Sequence, residues 1–204
     1  MSILSLISPF AWARRILSLI FILAVAFYIY CGYLVYQGSR LQTNASSLKP
    51  GRAIVLLGPT GPTAELSGDM IGRLNQVISL YEAHIAPKVI VAGSGPGVSF
   101  AKQYLSENKI PILRMTVIHS GSIPSAMAAL MNSYGGRSSE LIVVADALQA
   151  TYIENVASSD QLRIVVSPAI GSESISTSGF LQLTKEASAV AVGKIIGFSN
   201  VDWG

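Results

Sequence analysis

The stretch Lys88-Val89-Ile90-Val91-Ala92-Gly93-Ser94-Gly95-Pro96-Gly97 restricts this chain more than any other. It opens on a β-branched apolar run that is too short for a helix. No polar residue alternates within that run, so both faces of the strand are expected to be buried, as in an inner strand of a parallel sheet. The glycines that follow allow a sharp turn and a close approach of the backbone. A helical pattern begins at Val98. Strand, glycine loop and helix N-terminus together make a place where an anion can sit.

The same unit recurs along the chain. Residues 53–57 read as an apolar strand, and Gly58-Pro59-Thr60-Gly61-Pro62 as its loop. Helical spacing runs over residues 69–84, with Met70, Leu74, Val77, Ile78 and Tyr81 on one side. Further helices are expected at 100–108, 123–133 (Pro124 in the first turn, where its ring is tolerated), about 148–158 and 181–198. Further strands are expected at 115–118, 141–145 and 163–166. This alternation predicts an α/β fold over residues 52–204, a doubly wound, mostly parallel sheet of about five strands.

Ahead of that domain, residues 16–36 form an almost unbroken apolar run of about 21 residues, the length of a helix that spans a bilayer. Arg14 and Arg15 stand before it, Trp12 marks its front, and Tyr28, Tyr30, Tyr33 and Tyr36 mark its far half. Positive charge inside and aromatic residues at the interfaces predict a single-pass protein with its N-terminus in the cytoplasm and its domain outside. Ala24-Val25-Ala26 has the small-x-small form of a signal-peptidase site, but the apolar run continues past it, which favours an uncleaved anchor. The expected division is 1–38 for cytoplasmic tip and anchor, 39–51 for a polar linker, and 52–204 for the domain. The partner through residues 16–36 is the lipid bilayer of a bacterial cell membrane.

Only 12% of the residues are charged, against about 25% in an ordinary soluble domain. This leaves weakly polar surface for a membrane protein partner. The net charge of +3 comes without a Lys/Arg-rich run, so nucleic acid is not an expected partner. A lone cysteine, Cys31, excludes a disulfide within the chain and a thiolate metal cluster. It reads as a thiol buried in the membrane. No metal or cofactor is expected.

Several short motifs come in a familiar order: Ala53-Ile54-Val55-Leu56-Leu57-Gly58, Arg73-Leu74, Leu80-Tyr81, the stretch 88–95, and Ile110-Pro111. In this the chain resembles the YdcF/SanA/ElyC-like family of bacterial envelope proteins, over residues 52–197 and most strongly in the first half. The resemblance implies a Rossmann-like domain behind an N-terminal span, with a role in cell-envelope integrity and peptidoglycan-precursor metabolism. It also makes Arg73 a typical residue that points to the crevice. Where the family carries Ser-x-x-Thr-x-Glu-Asn, this chain has Ser122, Ser125, Met127 and Ala128. Where the family has Thr, His and Arg after the fourth strand, Ala145, Gln149 and Tyr152 align. Phe100 replaces a common Glu.

The candidate ligand-binding residues therefore lie at strand exits: Gly58, Thr60 and Gly61 after the first strand; Gly93, Ser94 and Gly95 after the second; Ser122 and Ser125 after the third; Asp146 and Gln149 after the fourth; and Arg73 on the first helix of the domain. The expected ligand is an anionic small molecule or a lipid-linked envelope precursor. Two readings stand side by side for several of them. The glycines make an anion cradle or two tight turns. Arg73 faces the crevice or pairs with Asp69 one helical turn earlier. Asp146 is a general base or hydroxyl holder, or it caps the following helix. The candidates for a chemical step are Asp146 and Ser122. No Gly-x-Ser-x-Gly elbow supports a Ser–His hydrolase through His119, and His84 is expected to end a helix. The alternative function is a non-catalytic scaffold or interaction subunit of a membrane complex.

Overall fold

Alternate residues of the strands go to opposite sides of one sheet, and each side is closed by its own layer of helices. The computed structural model describes residues 9–39, 48–58, 68–135, 140–169 and 177–198. Its elements are α1 (Pro9–Ser39), β1 (Ala53–Leu57), α2 (Gly68–Glu82), β2 (Val89–Gly93), α3 (Pro96–Glu107), β3 (Met115–His119), α4 (Ile123–Tyr134), β4 (Leu141–Asp146), a 3-10 turn (Ala147–Gln149), α5 (Ala150–Ser159), β5 (Ile164–Ala169) and α6 (Thr177–Ile196). All strand pairs are parallel, in the order β3-β2-β1-β4-β5. This is the doubly wound, Rossmann-like sheet expected from the alternation of strands and helices.

Ile54, Leu56, Val89, Val91, Ile142 and Val144 pack against α2 and α3. Val55, Leu57, Ile90, Ala92, Val143 and Ala145 face the other layer, which contains α4, α5, α6 and part of α1. Because β1, β2 and the first five residues of β4 are buried on both faces, their sequences had to be continuous apolar runs. β5 runs three residues beyond the expected 163–166, through Pro168. It lies at the sheet edge, where proline's missing N–H removes nothing from the ladder. His84 closes α2 with φ 57, the left-handed conformation that ends helices.

α1 is where the domain departs from the expected plan. Cys31 and Val35 are 0% exposed and belong to the core layer of α5 and α6. The Tyr28 hydroxyl donates to the Thr184 carbonyl at 3.0 Å, and the Thr151 hydroxyl donates to the Leu34 carbonyl at 3.3 Å. The Cys31 thiol is thus buried by protein rather than by lipid. Length permits both roles: a 31-residue helix is about 46 Å long, well beyond the roughly 30 Å hydrocarbon core of a bilayer, which leaves turns to spare for packing on the domain. Upstream of Tyr28 its large apolar side chains from Ile16 onward are exposed, and residues 14–37 are apolar and long enough to cross a membrane.

Candidate functional site

The strand order creates a rim where successive connections diverge. From β1 the chain winds outward to β2 and β3, then returns to the other side of β1 as β4. β1 leads to α2 on one face of the sheet and β4 to α5 on the other, which is the reversal of strand order at which open α/β sheets bind ligands. The exits of β1 and β2 lie side by side at this rim: Leu57 is in register with Ala92, and the Gly58 N–H donates to the Ala92 carbonyl at 2.6 Å. A Cβ on Gly58 would stand 3.1 Å from that oxygen, so the position favours glycine. Thr60 and Gly61 lie outside the described residues.

After β2, the Gly93 carbonyl accepts from Ser120 N–H at 2.9 Å. Ser94 is half-buried and Gly95 exposed. Gly95 precedes α3 with φ 72 and ψ −167, and Pro96 begins the helix. Essentially only glycine adopts that backbone conformation. Gly95→Ala is therefore expected to destabilise the folded chain by about 1–3 kcal/mol, read as a lower urea midpoint in detergent. An unchanged midpoint would show that the loop relaxes without strain.

Arg73 projects from α2 to this rim. Its Nη1 donates to the Leu57 carbonyl, the last of β1, at 3.1 Å. The side chain of Asp69, its expected pairing partner, lies outside the described residues. On the β4 side, Asp146 Oδ1 accepts from Leu148 N–H at 2.9 Å and so caps the 3-10 turn that leads into α5. The capping contact expected of Asp146 is thus present, and its carboxylate is partly exposed at the rim.

Gln149 reaches a residue that strand-exit reasoning missed. Its Nε2 donates to Glu186 Oε1 at 3.3 Å. Glu186 lies on α6 and is 6% exposed. Burial pushes its carboxyl up to about 7; the Gln149 hydrogen bond opposes this, the Asp146 charge adds to it, and Lys185 opposes it. A carboxyl that holds its proton near neutrality beside a second, partly exposed carboxylate is able to donate or accept a proton. The available signal was that Glu186 is the single acidic residue in the apolar helix sequence.

Ser122 and Ser125 take a different role. They form a reciprocal capping box at the start of α4, with Ser122 N–H donating to Ser125 Oγ at 3.1 Å and Ser125 N–H to Ser122 Oγ at 3.4 Å. α4 starts from the exit of β3, three strands from β4, which at the usual strand spacing is about 14 Å. The sheet brings Gly58, Gly93, Arg73, Asp146 and Gln149 to the central rim and leaves the two serines at its edge. His119 is exposed at that same edge. Compared with protein-family models, with curated proteins and with solved structures, the chain matches none.

Proposed function

We propose that this chain is a membrane-anchored envelope protein, akin to the YdcF/SanA/ElyC-like family, whose domain binds an anionic small molecule at the rim between β1 and β4. The observation that carries this reading is the asymmetry of the rim. On the β1–β2 side are glycine turns, the start of α3 and the Arg73 guanidinium, all suited to a phosphate or carboxylate. On the β4 side are Asp146, Gln149 and Glu186, suited to hydroxyl groups. A ligand with an anionic end and a hydroxylated end, such as a phosphorylated sugar or the head of an envelope precursor, matches both. α1 would hold the domain against the bacterial cell membrane, N-terminus in the cytoplasm and domain outside, beside membrane-borne ligands.

Isothermal titration of the full chain in mild detergent tests it, with glucose 1-phosphate and UDP-N-acetylglucosamine as probes. Binding is expected, and Arg73→Lys should weaken it about tenfold through loss of bidentate geometry. No heat at millimolar probe, with the protein folded, would overturn the reading. A specific observation favours the alternative, a non-catalytic subunit of a membrane complex. Asp146, Ser122 and Ser125 already serve as helix caps, and Gln149 is engaged with Glu186. In that case a stoichiometric membrane partner would co-purify, and Asp146→Asn would leave its capture unchanged.

A further inference from the structure

The contact between α1 and α6 fixes the level at which a bilayer can lie. Lys194 Nζ stands 5.3 Å from the centroid of the Tyr30 ring. An ammonium is strongly disfavoured in the hydrocarbon but suits the headgroup layer, and tyrosine and tryptophan also settle there. The hydrocarbon edge therefore belongs near Tyr28 and Tyr30, ahead of the turns that enter the protein core. Counting back from Tyr30, Trp12 is about 27 Å away along the helix, close to the thickness of a bilayer's apolar core. Arg14 and Arg15 can reach back to the headgroups on that side.

α6 crosses α1 at this same level. Tyr28 meets Thr184 and lies 3.3 Å from Ser188 Oγ, Gly32 faces Ala187, and Tyr30 meets Lys194. Three residues within five positions of α1 thus meet side chains spread over positions 184 to 194 of α6, and the Lys194 contact brings the C-terminal end of α6 to the level of Tyr30. Thr184, Ser188 and Ile195 recur at helical spacing and share the stripe that meets Tyr28. Ile195 and Ile196 are 73% and 52% exposed beside the membrane helix.

We propose that the C-terminal end of α6 is a second membrane contact. Lys194 sits among anionic lipid headgroups, and Ile195 and Ile196 dip into the acyl boundary beside α1, as on an interfacial amphipathic helix. This rests on reading α1 as membrane-spanning. It deepens that reading, because two contacts instead of one hinge hold the domain in a fixed attitude to the membrane.

Nitroxide labels test it in the full chain, on a Cys31→Ala background, in nanodiscs of phosphatidylcholine with about a third phosphatidylglycerol. Labels replace Ile22, Leu113, Ile195 and Ile196 one at a time through cysteine, and near-UV circular dichroism checks the fold of each. Oxygen and nickel-chelate accessibility by power saturation gives depth. Position 22 should lie in hydrocarbon and position 113 in water. Positions 195 and 196 should show an oxygen-to-nickel ratio several-fold above that at 113. If 195 and 196 match 113 while 22 is in hydrocarbon, the second contact is refuted and the span stands. If 22 is also aqueous, the spanning reading fails and takes this one with it. Spin–spin broadening at 195 would show a second copy covering the patch, and would equally overturn the proposal.

Discussion

Val35→Asp is expected to destabilise the α/β domain strongly, although the substitution lies in the helix that precedes its first strand and is long and apolar enough to cross a membrane. Val35 is 0% exposed and sits in one apolar layer with Tyr152, Ile153, Val190 and Ala191. An aspartate there loses the valine's apolar burial and places a carboxylate in a mostly apolar layer away from water, at a cost on the order of 4 kcal/mol. Domains of this size are stable by about 5–15 kcal/mol in all, so much of the total would go. Urea unfolding of the full chain in detergent, followed by far-UV circular dichroism, gives the measurement. Tyr33→Phe, at an exposed position two residues earlier, is the control and should change little. A wild-type midpoint for Val35→Asp would mean that the last turns of α1 are not part of the core. By the same argument, a chain shortened to residues 39–204 exposes the apolar faces of α5 and α6 and should be markedly less stable than the intact protein.

Glu186→Gln should stabilise the protein at alkaline pH and leave it unchanged under acid. The folded-state carboxyl titrates at about 7 rather than 4.5, chiefly because it is buried. Between those values the folded protein holds a proton that the unfolded chain has released. The stabilising contribution of the protonated form is therefore complete below about pH 4.5 and is lost as pH rises through about 7. A shift of this size corresponds to roughly 3 kcal/mol. Glutamine stays neutral and still accepts from Gln149, so the variant keeps what the wild type loses. Chemical unfolding at pH 5 and pH 8 should show the two proteins alike at the first and apart at the second. A constant difference at both would exclude titration of Glu186 as its cause. If the rim carries out proton transfer, the same change would also flatten the pH profile of any activity found there.

The residues that were legible in the sequence share a physical reason. Val89, Ile90 and Val91 could be read as an inner strand because a strand buried on both faces admits nothing polar. Asp146 could be read as a cap because a carboxylate just before a helix finds unpaired N–H groups. β5 extends past the expected 163–166 through Pro168 because its place at the edge of the sheet tolerates a proline. Ser122 and Ser125 stand out in the sequence as hydroxyls at a strand exit that match positions of the resembled family, whereas their spacing of three is that of the capping box they form. Glu186 was not legible as a rim residue. It lies on the final helix, far along the chain from Asp146 and Gln149, and the two meet only because α6 packs back over the exit of β4.

The sequence by itself determined the parallel sheet, the helices between its strands and an apolar helix ahead of them, since each follows from local burial patterns and turn residues. Only the tertiary structure decided that this helix outruns a bilayer's apolar core and lends its last turns to the domain, and that a carboxyl from α6 joins the rim. Both depend on which distant surfaces meet, and contact between remote segments leaves no periodicity in the chain.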